Sequence, residues 1–218
     1  MHSGPWPCVS LTYDGGSLGH LESVVPDLDA RGLTGTFFAS PEAFLGDLER
    51  WRRVATQHEI GNGSLFGVPL EWSGATIRQT VAEANEALRE CFPGQDFAIA
   101  LDWDAGVVPD LIAGAPVRAG MAGFNHAGRT RLDAVRMVPA TNATGLELVD
   151  YVETARKEGA WLVFAFDGIG EGERAIDLAA HRRLLDHLDE CRERIPTRGF
   201  LAQSQLLVAA TVGNPRLV

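Results

Sequence analysis

Short apolar runs that each empty onto a polar side chain, with helical spacing between them, constrain this chain more than any other feature. Val9-Ser10-Leu11-Thr12-Tyr13 ends in Asp14-Gly15-Gly16, and His58-Glu59-Ile60-Gly61 ends in Asn62. Phe97-Ala98-Ile99-Ala100-Leu101 runs into Asp102-Trp103-Asp104, and Trp161-Leu162-Val163-Phe164-Ala165-Phe166 into Asp167-Gly168. Thr36-Phe37-Phe38-Ala39 reads as one more strand. Continuous apolar strands separated by helices predict a mostly parallel sheet covered by helices. Polar residues gathered at the strand C-termini then mark the face where a site belongs. Taken singly, each Asp-Gly is also a common turn pair, so the pattern carries the argument and no one pair does.

The helices follow from period 3.6. Leu18 to Leu28 is predicted helical, bent or ended by Pro26, and Phe44 to Val54 forms a second amphipathic stretch. Ser73 is a candidate N-cap for a helix carrying Ile77, Val81, Ala84, Leu88 and Cys91, closed by Pro93 and Gly94. Leu146 to Lys157 and His181 to Arg194 are two more, and Phe200-Leu201 reads as a last strand before a helix from Ser204 to Ala210. Residues 114–144, rich in Gly, Ala and Pro, are the hardest stretch, with short strands expected near Arg118 and at Val135 to Val138. No linker or repeat interrupts the alternation, so residues 1–218 are expected to form a single α/β domain, barrel-like in architecture.

The formal charge of −10 without a dense Lys/Arg block predicts no nucleic-acid and no membrane partner, since both need a basic face. A small-molecule ligand or substrate is expected instead, and oligomeric state is not legible. Cys8, Cys91 and Cys191 are too scattered for a metal site, and an odd count with no recognisable signal segment predicts reduced thiols and a cytoplasmic location. His20, His181 and His187 fall on helices, where a lone His is usually exposed or structural, and His126 falls in a loop.

Ser10-Leu11-Thr12-Tyr13-Asp14-Gly15-Gly16 resembles the Thr-Phe/Tyr-Asp-Asp-Gly motif of the polysaccharide deacetylases of the NodB-homology kind, carbohydrate esterase family four. Leu33-Thr34-Gly35-Thr36-Phe37-Phe38 resembles that family's second strand, and His58 to Gly67 its His-Glu-Ile-Gly-Asn-His-Thr-Leu-x-His segment. Trp161 to Gly170 resembles its closing motif, which ends Phe-His-Gly-Ile-Gly. The resemblance implies a distorted (β/α) barrel of the NodB-homology, polysaccharide deacetylase type, with a divalent metal and metal-dependent deacetylation. By the same resemblance Asp14 stands at the general base, and His58 is structural.

The departures are concentrated in the implied chemistry. The three metal-ligand positions are occupied by Gly15, Gly63 and Gly67, the general-acid histidine by Asp167, and the Arg-Pro-Pro-Tyr-like substrate strand by Leu101 to Gly106. A catalytic zinc ordinarily keeps three protein ligands, so no metal and no other cofactor is expected, and the implied deacetylation is not. Three glycines suggest room made for a ligand. A small-molecule site is therefore predicted around Tyr13, Gly15, Asn62, Gly63, Phe66, Gly67, Asp102, Trp103 and Asp104, with Trp72 as a further lining residue. Asp14 and Asp167, at the ends of facing strands, form a candidate carboxylate pair in which one member is the acid and the other the base. The leading expectation is metal-independent acid/base catalysis of the isomerase, cyclase, lyase or hydrolase kind. Two alternatives stand beside it: a catalytically inactive protein that binds a saccharide or metabolite, and a residual metal-dependent deacetylase using Asp14, Asp102, Asp104 or Asp167.

Overall fold

The computed structural model describes residues 7–68, 72–101, 116–119, 123–125, 135–170 and 172–213. Eight strands form one sheet: β1 (Cys8–Asp14), β2 (Gly35–Ala39), β3 (Glu59–Leu65), β4 (Ile99–Leu101), β5 (Val117–Ala119), β6 (Gly123–Asn125), β7 (Val135–Pro139) and β8 (Trp161–Phe166). Their order is β6-β5-β4-β3-β2-β1-β8-β7, with every neighbouring pair parallel except β5 and β6. The sheet curls into a distorted (β/α) barrel, with β3 and β2 at the middle of the strand order and β1 and β8 following toward the β7 edge.

Period-2 alternation splits each strand between two environments. Val9, Leu11 and Tyr13 of β1 join Phe37, Ile60, Leu162, Phe164 and Phe166 in the core that packs under the helices. Cys8 of β1 lies with Phe38, Trp161 and Val163 on the inner side of the curl. Ser10, Thr12 and Asp14 share that parity, and the buried Ser10 and Thr12 hydroxyls donate to the carbonyls of Arg198 and Phe164.

Helices α1 (Val25–Asp29), α2 (Pro41–Leu45), α3 (Leu48–Val54), α4 (Gly74–Cys91), α5 (Gly145–Glu158), α6 (Leu178–Glu190) and α7 (Phe200–Gly213) complete the described fold. Ser73 caps α4 by accepting from Thr76 N, and Thr144 and Glu147 form a capping box at α5, which stops at left-handed Gly159. Three expectations are corrected here. A π-turn, His20–Val24, precedes α1, so the first helix is not uniform. The second predicted helix is two short ones, broken at Gly46-Asp47. Phe200-Leu201 is not a strand but the first turn of α7, because its backbone donors are claimed by side chains. Phe200 N donates to Thr36 Oγ1, Leu201 N to Glu59 Oε2 and Ala202 N to Glu59 Oε1. The extended segment lies slightly earlier, where Thr197 bridges Val9.

Candidate functional site

Strand β1 carries Asp14 at its C-terminal end on the inner face, and the backbone then turns away through Gly15 and Gly16, whose φ values of 95° and 60° suit only glycine. Gly15 N donates to Phe38 O at 2.8 Å, which pins the turn to β2. An open cleft of about 510 Å³ starts at this turn, lined by Asp14, Gly15, Phe66, Asp167 and the segment Gly172 to Ala175. The acids from the ends of β1 and β8 therefore share one cleft.

Each of the two carboxylates is held by its own arginine. Arg118 Nη2 donates to both oxygens of Asp14 at 2.6 Å, in a pair whose side chains are 4% and 13% exposed. Arg118 comes from β5, where Val117 packs outward against Leu65 and Ile77 and the alternation turns the next side chain inward. Its guanidinium carbon lies 5.0 Å from the Phe38 ring centroid and 5.9 Å from that of Phe66, so aromatic faces wall the cation. Asp167 is paired with Arg174, an exposed side chain at the outer rim of the same cleft.

The three glycines divide. A side chain at Gly15 or Gly67 would meet nothing within 4 Å, although the positive φ of both residues would strain it. At Gly63 the space is already filled: a Cβ there would lie 2.5 Å from Phe66 Cε2 and 2.9 Å from Ala39 N. The expectation that Gly63 makes room for a ligand is thus corrected, because the room is taken by the Phe66 ring. Phe66 N donates to Gly63 O at 3.1 Å, a tight turn that folds the ring back over the glycine.

Tyr13 and Asn62 are placed elsewhere. Tyr13 is fully buried on the outer face, stacked between Phe37 and Phe166, with its hydroxyl 2.9 Å from His181 Nε2. Asn62 is buried against α4: its amide donates to Asn85 Oδ1 at 2.8 Å, and its own Oδ1 accepts from Ser64 N. Residue parity explains both, since Tyr13 is one step from inward Asp14 and Asn62 is one step from inward Gly63. Trp72 is 37% exposed and is not among the cleft residues. Asp102, Trp103, Asp104 and His126 lie outside the described residues.

His58, His20 and His181 are buried, and half-buried His187 shares a hydrogen bond with Glu153. His58 accepts from Gly35 N at Nδ1, which puts its ring proton on Nε2, where it donates to Asp29. Burial pushes His181 down to about 3 and His20 down to about 4, so both rings are neutral at pH 7. Neither ring nitrogen of His20 has a hydrogen-bond partner among the described residues.

A divalent metal beside Asp14, which the motif resemblance implies, does not fit the donor set of the described residues. Gly15 and Gly67 offer no side-chain donor, Phe66 fills the volume at Gly63, and the Asp14 oxygens already accept from a cation. Among the described residues no three His, Cys, Asp or Glu side chains converge. Arg118 was missed by sequence reasoning. Its one signal is a lone charge in the Val117-Arg118-Ala119 stretch, which by itself does not tell a buried, paired arginine from an exposed one.

Neither a protein-family model nor a curated protein matches the sequence. Solved structures do match. The Bc1960 peptidoglycan N-acetylglucosamine deacetylase, in complex with a naphthalenyl N-oxidanyl-benzamide, superposes with a TM-score of 0.62 at 15% identity, over 90% of this chain and 87% of that one. The Xyl-CE4 domain of a multidomain xylanase from the hindgut metagenome of Trinervitermes trinervoides gives 0.60 at 13% identity, over 93% and 90%. BA3943, a CE4 family pseudoenzyme from Bacillus anthracis, gives 0.51 at 13% identity, over 87% of this chain and 63% of that one. This chain has the fold of the carbohydrate esterase family 4 polysaccharide deacetylases, in a divergent form.

Proposed function

We propose that this protein is a non-catalytic, deacetylase-like binding protein whose cleft receives a saccharide or small metabolite. One observation carries the reading: Asp14 and Asp167, the cleft acids at the strand ends, are each paired with an arginine. A carboxylate pair that divides acid and base roles depends on mutual repulsion, which lifts one of the two pKa values. A guanidinium beside each carboxylate offsets that repulsion. The cleft keeps open space at Gly15 beside the aromatic Phe66, a combination that suits binding. A protein described as a pseudoenzyme shares the fold. The three cysteines are free, buried thiols, and we place the protein in the cytoplasm on that basis.

The test combines thermal shift with product analysis on N-acetylglucosamine oligomers and xylo-oligosaccharides. Ligand-dependent stabilisation with no released acetate and no altered sugar is expected. Turnover of any of these, or no stabilisation by any of them, overturns the proposal.

A second reading has one observation in its favour, namely that Asp14 and Asp167 line the same cleft. In it, substrate binding frees the carboxylates from their arginines for metal-independent proton transfer. Turnover that survives both Asp14→Asn and Asp167→Asn would remove this reading.

A further inference from the structure

We infer that the Arg118 guanidinium is the resident cation of this site, and that Asp14, Phe38 and Phe66 form a cage for a planar organic cation. The departures from the metal-binding pattern then belong to one substitution. The absent side chain at Gly63 lets the Phe66 ring fold in, with 2.5 Å between its Cε2 and the position of a Cβ on Gly63. The folded ring supplies one aromatic face, 5.9 Å from the guanidinium carbon, and Phe38 of β2 supplies the other at 5.0 Å. Asp14 supplies the counter-charge through two contacts of 2.6 Å.

Such a cage selects by chemistry. A guanidinium is planar, weakly hydrated and attracted to aromatic faces, so it can be buried where a hydrated ion cannot. Zinc, magnesium and calcium need several oxygen, nitrogen or sulfur donors, and two phenyl rings provide none. The Arg118 side chain is 4% exposed, and its Nε has no hydrogen-bond partner among the described residues. Its charge is therefore compensated by Asp14 and the rings and not by solvent.

The experiment empties the cage and offers it small cations. Arg118→Ala is expected to lower Tm by roughly 10 °C, the scale set by loss of one partner of a buried ion pair in a chain of this size. Low-millimolar methylguanidinium chloride should recover several degrees of that loss relative to equal sodium chloride. The same salt should leave the wild type unchanged and should fail on the Asp14→Asn/Arg118→Ala variant. Zinc chloride should not rescue. Rescue by zinc in place of methylguanidinium, or no rescue by either, overturns the inference. If Arg118→Ala yields no folded protein, the Asp14→Asn/Arg118→Met double variant decides: it should fold and exceed the Tm of Asp14→Asn. A double variant no more stable than Asp14→Asn refutes the pairing.

Discussion

Tyr13 and Asp14 are neighbours on β1, yet they open onto two differently built interiors. Tyr13 faces the helices and shares a neutral hydrogen bond with His181, inside a stack with Phe37 and Phe166 at centroid distances of 5.0 and 5.1 Å. Asp14 faces the barrel interior and shares a charged pair with Arg118 between aromatic rings. The neutral pair needs only that each partner keep one hydrogen bond. In the charged pair, losing either member strands a whole charge in a poorly solvated place. A single residue step on one strand thus separates an inert structural contact from a site whose integrity depends on electrostatic balance.

That contrast can be broken most forcefully at Arg118. Arg118→Met is expected to cost about 3–5 kcal/mol in urea unfolding, the range for a buried pair deprived of one partner. A loss below about 1 kcal/mol would place Asp14 with ordinary solvated surface acids. Acid attacks the other side of the strand. Burial holds His181 at about 3 and His20 at about 4, both below the ordinary value of 6.5. The unfolded chain therefore takes up protons first as pH falls. The stability these rings contribute is complete above pH 6.5 and is lost on descent from there toward the folded-state values. The slope approaches about 1.4 kcal/mol per pH unit for each ring. Urea midpoints measured across this range check it, and His20→Phe should remove one ring's share between 6.5 and about 4. A profile unchanged by that substitution would mean that His20 is solvated.

Smaller effects sharpen the comparison further. Gly63→Ala puts a methyl against both the Phe66 ring and the Ala39 backbone nitrogen, and should cost about 1–3 kcal/mol as an overpacked site. Adding Phe66→Ala should relieve the part due to the ring but not the part due to the backbone, as read by thermal denaturation. Tyr13→Phe removes only the hydroxyl and should cost about 1 kcal/mol, because His181 loses its partner while the stack remains. Were Tyr13→Phe to cost as much as Arg118→Met, the division between a neutral and a charged interior would fail.

The buried strands were legible because their apolar runs are continuous, as in Trp161 to Phe166, and Ser73 announced its helix by local capping chemistry. The deacetylase-type barrel followed from those runs and from the motif resemblance. What escaped depends on partners remote in the chain. Arg118 lies 104 residues from Asp14 on a three-residue strand, too short to display its alternation. Phe200-Leu201 looks extended by composition, but the groups that fix it in a helix come from Thr36 and Glu59. Gly63 looked like empty space because sequence does not say which neighbour turns into a vacated volume. Tyr13 and Asn62 were assigned to the site by proximity in sequence, and the pleat sends each to the opposite face.

The clasp on α7 bears on the order in which the protein assembles. Glu59 accepts from two successive amides of that helix, and Thr36 relays between them by accepting from Phe200 N and donating to Glu59. Burial pushes the Glu59 carboxyl up, and these donors offset only part of that rise. Until α7 leaves the ribosome, Glu59 has none of the helix amides it needs, and Phe38 and Trp161 lack the Phe200 ring that packs on them. Contacts spanning 142 and 164 residues cannot form before α7 itself is made, so their closure comes late in assembly.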